Sequence, residues 1–229
     1  METKGIDYSA IPQTALRVLT QPALFFREMP KTGGFIEPLV FMVAMGVVSG
    51  IIGGLLTALF SLLGLHVGAG MVTGFIAIIL MPLYYAIGSA VFGFVSAAIL
   101  FIIWKIMGSN EEYETAYRCN AYVSAVLPVT TVLAMIPYLG GAIGVLIGIY
   151  YLVHASIHTH GIPSRKAWLV FGIIAAVLVI FQISAQIAAR RASHNLDKAT
   201  ESWKETSEQM QKAAEEMQKQ MQQDMEKKD

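Results

Sequence analysis

The sequence predicts an all-α membrane protein: a polytopic bundle of about five transmembrane helices followed by a C-terminal extramembrane amphipathic helix. The chain has 229 residues, of which 55% are hydrophobic and only 14% are charged. Soluble domains carry nearer a quarter of charged residues. No Asp, Glu, Lys or Arg occurs in residues 38–104, 119–164 or 167–189. A soluble helix needs a wet, polar face, whereas a lipid-embedded helix excludes charge, so these stretches indicate membrane spans.

The first 34 residues precede any long apolar run and form a cytoplasmic or interfacial N-terminal segment. They lack the short apolar run and small-residue cleavage site of a secretory signal, so we expect the first apolar segment to remain as a span. Within them, residues 12–30 mix apolar side chains with Arg17, Arg27 and Glu28. This mixture predicts one or two short helices. They lie either in the membrane interface or as a cap packed on the bundle.

The first charge-free stretch is long enough for two spans, because a bilayer core of ~30 Å requires about 20 helical residues. Its break falls at residues 64–70, which contain three glycines and His66. The predicted spans are therefore residues 38–63 and 72–104. Pro82 lies inside the second span and is its predicted kink point.

Three further spans follow, at residues 121–136, 141–157 and 167–189. The helix of the third span is predicted to begin in water, since Ser109 followed three residues later by Glu112 is typical of a capping box. Glycine-containing and proline-containing turns separate the remaining spans. The tail of residues 191–229 is predicted to lie outside the membrane, and residues 35–190 to form the transmembrane domain.

The distribution of Lys and Arg predicts the orientation, because cytoplasmic loops carry the excess of positive charge. The basic residues occupy the N-terminal segment and alternate loops: Lys4, Arg17, Arg27, Lys31, Lys105, Arg118, Arg165 and Lys166. This alternation places the N-terminus in the cytoplasm and, with five spans, the C-terminus outside. Arg190 and Arg191 follow the fifth span directly and oppose this orientation, so either the tail lies outside despite them or the count of spans is wrong by one.

Glycines recur every four residues on two predicted spans. Such rows let helix backbones approach closely in lipid. We expect them to pack helices within the bundle or between copies of the chain; the alternative is a sliding or pore-lining surface. The residues are Gly46, Gly50 and Gly54 on the first span, and Gly140, Gly144 and Gly148 at the fourth.

The charged tail contains a heptad pattern, which predicts a long helix or weak coiled coil. The apolar positions are Leu196, Trp203, Met210 and Met217, extended by Met221. We expect them to support self-association into an oligomer. Because Met and Ala form a poor zipper core, this association is expected to be weak; the alternative is a solvated helix without a partner.

Few residues suggest chemistry. His154 and His158 are one helical turn apart, and His160 follows closely, so these imidazoles are a candidate metal site; the alternative is that they are polar residues tolerated at the membrane edge. Nothing resembles a nucleophile with its base, a phosphate loop or a carboxylate pair. The sequence therefore predicts no enzyme activity and no cofactor. The zero net charge gives no indication of nucleic-acid binding.

Several short motifs, taken in order, resemble the Yip family, the Ypt/Rab-interacting membrane proteins, in its bacterial form. They are Pro22 with Phe25 and Phe26, Pro38-Leu39, Ala121-Tyr122 followed by Pro128, Tyr150-Tyr151, His160-Gly161 and Lys166-Ala167. The resemblance implies five spans, a cytoplasmic N-terminus and an outside C-terminus. Eukaryotic members act in vesicle trafficking through small GTPases, but this chain has only the Pro-Leu of their Asp-Leu-x-Gly-Pro-Leu signature.

Two functions are consistent with these observations. In the first, the protein is a non-enzymatic scaffold of a bacterial inner membrane that organises lipid or binds partners, including copies of itself. In the second, it is a small-molecule or metal permease or channel that uses the bundle interior and the three histidines. The absence of charge within the predicted spans favours the scaffold.

Overall fold

The structure is a computed structural model that describes residues 8–63, 70–137 and 139–226. It is 87% helical, and the described part contains no strand. Two short 3-10 helices, Tyr8–Ala10 and Ser124–Val126, accompany the α-helices. The α-helices are α1 (Ile11–Thr20), α2 (Pro22–Glu28), α3 (Ile36–Leu62), α4 (Gly70–Ile106), α5 (Tyr113–Val123), α6 (Leu127–Leu133), α7 (Leu139–His158) and α8 (Ser164–Glu226). The predicted all-α fold class is confirmed. The chain divides into two compact units, Met1–Ile180 and Phe181–Asp229.

Four described helices are long and apolar enough to cross a membrane: Ile36–Leu62, Ile76–Ile106, Leu139–His158 and Ser164–Ala189. They coincide with the first, second, fourth and fifth predicted spans. The third predicted span, residues 121–136, is not among them: the structure has the end of α5, a 3-10 turn and the short helix α6 there instead of one regular helix. Pro128 explains the break, because a proline lacks the N–H and its ring clashes with the carbonyl four residues earlier, here that of Ser124.

The glycine row on the first span lies at the contact between α3 and α4. A Cβ atom at Gly46 or Gly54 would lie 2.8 Å from a backbone carbonyl oxygen of α4, and one at Gly50 would lie 2.6 Å from the Pro82 nitrogen. No side chain fits in that space. The row therefore brings two backbones of the same chain together, and α4 covers it.

The second glycine row does not pack along its length. A Cβ at Gly140 would overlap the Leu133 carbonyl, whereas one at Gly144 would lie at an ordinary contact distance, 3.4 Å, from the Thr130 side chain. A Cβ at Gly148 would meet nothing within 4 Å. Within one chain the second row therefore packs at Gly140 and Gly144 but not at Gly148.

The N-terminal segment forms two short helices that pack on the bundle. Val18 is fully buried and Phe26 nearly so, and Phe25 packs edge-on against Tyr122 at 5.1 Å between ring centroids. The Tyr151 hydroxyl, on α7, donates a hydrogen bond to the Leu19 carbonyl at 2.8 Å. The helices α1 and α2, which we call the N-terminal cap, therefore pack on the bundle, which is one of the two arrangements expected from the sequence.

Candidate functional site

A polar network joins three chain connections at one end of the first unit, and we call it the end network. The connections are residues 29–35 between α2 and α3, residues 107–112 between α4 and α5, and residues 159–163 between α7 and α8. Lys166 at the start of α8 donates a hydrogen bond to the Met107 carbonyl at 2.8 Å. Polar side chains from distant parts of the sequence thus meet at one place.

Arg118, on α5, is the central cation of the end network. Its side chain is 1% exposed and donates to the Pro30 carbonyl at 2.7 Å and to the Gly34 carbonyl at 2.9 Å. It also forms an ion pair with Glu37 at 3.2 Å. The carboxylate of Glu37 is largely exposed, so the pair has one buried and one hydrated member. Arg118 therefore fixes the connection between α2 and α3 against α5.

Three further contacts hold the same connection. Lys31 pairs with Glu111 at 2.6 Å, the Gly34 amide donates to the Glu114 carboxylate at 2.7 Å, and the Thr115 hydroxyl donates to the Lys31 carbonyl at 3.1 Å. Gly34 has a φ of 87°, a region that residues with a Cβ rarely adopt. The glycine lets the chain turn so that its amide faces α5.

A second part of the end network surrounds Trp104, which is fully buried at the end of α4. Its indole N–H donates to the Ser156 hydroxyl at 2.7 Å, and its ring stacks on His160 at 3.9 Å between centroids. The Ser109 hydroxyl lies 2.8 Å from His160 Nδ1. Ser109 therefore does not form the predicted capping box; α5 begins after Glu112 without a side-chain cap.

Burial keeps the imidazole of His160 and the thiol of Cys119 neutral. The pKa of His160 is lowered to about 3, first by burial and then by the positive charges of Lys31 and Lys105. The pKa of the Cys119 thiol is raised to about 12, mainly by complete burial. A nucleophilic cysteine needs a thiolate, so this thiol is inert in the folded chain.

The structure separates the three histidines that the sequence grouped as a metal site. The His154 and His158 rings stack at 5.6 Å between centroids, as their spacing on one helix face requires. His160 instead turns inward onto Trp104, because α7 has ended at His158. Among the residues that the structure describes, no group of three His, Cys, Asp or Glu side chains is arranged to hold a metal ion.

The family model described as the Yip1 domain matches residues 16–186 of the chain, which is well over half of its length. The chain belongs to the Yip1 domain family. This confirms the resemblance seen in the sequence motifs. Searches of the curated proteins and of the solved structures each gave no match.

The Yip1 domain contains most of the N-terminal cap, the whole end network and all four apolar helices as far as residue 186. It ends before the heptad positions of the tail. Within the second unit, Leu196, Trp203 and Met210 lie on α8 and are 68%, 73% and 63% exposed. Met217 and Met221 also lie on α8, and their side chains are outside the described part of the structure.

The end network was missed by reasoning from the sequence, which counted Arg118 only among the basic residues of a cytoplasmic loop. One signal was available. The pair of Arg118 and Glu37 flanks charge-free stretches, and a lone arginine beside a predicted span needs a partner when it is buried. Its partner lies 81 residues away, so the pairing itself could be seen only in the structure.

Proposed function

We propose that this member of the Yip1 family is a non-enzymatic membrane scaffold that self-associates through its C-terminal helix. The observation that carries the proposal is the row of exposed apolar side chains at Leu196, Trp203 and Met210. They recur every seven residues on one helix, so each presents the same face. A tryptophan that is 73% exposed on a charged helix adds a large apolar surface, and such surfaces commonly mark sites of protein contact.

The occupant that fits this face is a second copy of the same helix. In a parallel pair, a heptad row faces its own copy in register, with Ala199, Thr206 and Ala213 filling the alternate positions. Glu208 with Lys212 is an i,i+4 pair with the acidic residue first, the favourable order on an isolated helix. The small and flexible core residues make the association weak and reversible.

The glycine face of α3 does not support oligomerisation, although the sequence allowed that possibility. Gly46, Gly50 and Gly54 lie against α4 within the same chain, and a Cβ added at any of them would contact its backbone. That face of α3 is therefore already covered by α4 within one chain. The tail remains the surface that favours contact between copies.

The end network supports a structural role for the N-terminal cap. Its buried cation, Arg118, is held by three acceptors, and the imidazole and thiol nearby are neutral. These groups fix a connection and do not supply a reactive charge. The permease alternative depended on three assembled histidines, which the structure does not bring together, so we do not propose it.

An inner-membrane location with the N-terminus in the cytoplasm is part of the proposal. Arg118, Lys31 and Lys166, which the charge rule assigns to the same side, take part in contacts of the end network at one end of the unit. Clustering at one end is what a shared cytoplasmic side requires. It supports the predicted orientation of the first unit.

Cysteine crosslinking in native membranes tests the self-association. The native thiol, Cys119, is fully buried, so a cysteine placed in the tail is the accessible one. Met210→Cys lies on the apolar row, and the matched control Glu208→Cys lies on the opposite face of the same turn. Disulfides form only between Cα atoms within about 7 Å, so the position decides the yield.

We expect mild oxidation to convert Met210→Cys largely to disulfide-linked dimers, while Glu208→Cys and the unmodified chain stay monomeric on denaturing gels. Adding Trp203→Ser to Met210→Cys is expected to lower the dimer yield severalfold, since it removes the largest apolar contact of the row. Equal crosslinking at positions 210 and 208, or none at either, would contradict the proposed pairing.

A further inference from the structure

An apolar cleft of about 620 Å³ runs beside α7 and the first part of α8. Its walls include Ile149, Tyr150, Trp168, Ala175, Ala176 and Val179. Gly172 forms part of the floor, and a Cβ there would meet nothing within 4 Å. The lining extends along α8 from Trp168 to Ile180, which is about 18 Å at 1.5 Å per residue.

The length of the cleft indicates what could bind in it. One leaflet of a bilayer has a hydrocarbon depth of about 15 Å, half of the ~30 Å core. The cleft is therefore as long as an acyl chain that enters from one membrane surface. Tyr150 and Trp168 line the cleft, and aromatic side chains of this kind are typical of the lipid interface.

The end of the cleft nearest the end network carries polar aromatic groups. Tyr150, His154 and His158 follow one face of α7, with the Tyr150 and His154 rings 4.6 Å apart and the two imidazoles 5.6 Å apart. His154 Nδ1 is buried and has no hydrogen-bond partner among the described residues. A buried nitrogen of this kind is costly unless a ligand or water satisfies it.

Positive charge surrounds the same end. Arg165 is exposed and lies three and seven residues before Trp168 and Gly172, so it shares the face of α8 that lines the cleft. Arg27 lies in the last turn of α2, and α2 packs against α7, which carries His158. The nearby carboxylate of Glu28 is already paired with Arg17. The rim therefore favours a negatively charged group.

We propose that the cleft binds one anionic phospholipid, with an acyl chain between α7 and α8 and the phosphate at a rim formed by His154, His158, Arg165 and Arg27. The apolar walls suit the acyl chain of the lipid, and the basic rim suits its anionic headgroup. The site belongs to the first unit alone and does not depend on the tail.

Quenching of tryptophan fluorescence by brominated lipid tests this site in the full chain. Trp168 lines the cleft and is 48% exposed, whereas Trp104 is fully buried. The full chain with Trp203→Phe is reconstituted into phosphatidylcholine vesicles. One series of vesicles contains increasing fractions of phosphatidylglycerol brominated on its acyl chains, and a second series contains phosphatidylcholine brominated in the same way. Trp168→Phe identifies the signal of the site.

We expect brominated phosphatidylglycerol to quench Trp168 at several-fold lower mole fraction than brominated phosphatidylcholine, with saturation at about one lipid per chain. Arg27→Gln and Arg165→Gln are each expected to weaken the preference about fivefold, since one basic residue near an anionic surface contributes about 1 kcal/mol. Arg191→Gln, which removes an equal charge in the second unit, leaves the preference unchanged.

Two further measurements distinguish a lipid from other occupants. Gly172→Leu fills the floor of the cleft where space is open, and is expected to remove the saturable quenching while the chain stays folded. Inorganic phosphate is expected not to compete, because it lacks the acyl chain. Equal quenching by the two lipids, or selective quenching that survives Gly172→Leu, would overturn the proposal.

Discussion

Replacing Arg118 with methionine should release the N-terminal cap without unfolding the bundle. The methionine retains most of the apolar volume but loses the bonds to Pro30, Gly34 and Glu37. Hydrogen bonds from a charged donor contribute roughly 1.5–3 kcal/mol each. The freed acceptors lie on an exposed connection, where water replaces part of this energy. We therefore expect closure of the cap to weaken by about 2–4 kcal/mol in total.

The native thiol measures this opening directly. Cys119 is fully buried and belongs to the apolar cluster that includes Phe25 and Phe26 of the cap. When the cap opens and closes faster than a maleimide reacts, the labelling rate follows the open population. A loss of 2–4 kcal/mol then accelerates labelling roughly 30-fold to several hundredfold, since about 1.4 kcal/mol corresponds to tenfold.

The matched control is Arg17→Met, which removes an ion pair with Glu28 whose members are 46% and 50% exposed. Exposed pairs contribute less than about 1 kcal/mol, so labelling of Cys119 should rise by less than about fivefold. If Arg118→Met and Arg17→Met label at the same rate, Arg118 does not hold the cap and the interpretation of the end network is wrong.

Three further predictions concern packing, pH and orientation. Gly50→Val is expected to lower stability by about 1–3 kcal/mol or more because its side chain would enter the α4 backbone, whereas Gly148→Val, in open space, is expected to be neutral; thermal unfolding in micelles compares them. The pKa of His160 is lower in the folded chain than in the unfolded chain, so the unfolded chain binds more protons between about pH 6.5 and 3. The free energy of unfolding should therefore fall as the pH is lowered through that window. His160→Asn should flatten this part of the pH profile of unfolding; an unchanged profile would show that His160 is not its source. A reporter that is active only in the cytoplasm should be inactive when fused after Asp229, and activity there would reverse the predicted side of the tail.

Much of the fold could be predicted because lipid excludes charge. Absence of Asp, Glu, Lys and Arg over a length that spans a bilayer is a strong signal, and it located α3, α4, α7 and the first part of α8. The break before Pro128 follows from local chemistry as well. The sequence also indicated a charged C-terminal helix, and α8 extends through it to Glu226.

The end network could not be predicted, since its partners are far apart in the sequence. His160 lies 51 residues from Ser109, and Arg118 lies 88 residues from Pro30. Local rules assigned these residues other roles: Ser109 to a helix cap and His160 to a metal site. In each case a tertiary contact was stronger than the local preference, because a buried polar group must be satisfied wherever its partner lies.

Spacing alone also could not tell which glycines pack. Gly46, Gly50 and Gly54 and the row from Gly140 to Gly148 have the same four-residue period. Only the first row meets a backbone along its length. Which face of a helix has a neighbour depends on the arrangement of the other helices, and one sequence does not encode that in a local pattern.

The distance between two tails in the membrane tests the central claim most directly. The full chain is spin-labelled at Met210→Cys, reconstituted into lipid vesicles, and measured by pulsed electron paramagnetic resonance. Packed helices lie about 8–10 Å apart, so self-association predicts a defined short distance between labels on two copies, and a longer one for labels at Glu208→Cys. The measurement is made at concentrations where the chain is abundant in the membrane. The absence of dipolar coupling above the random background would contradict the proposed self-associating scaffold.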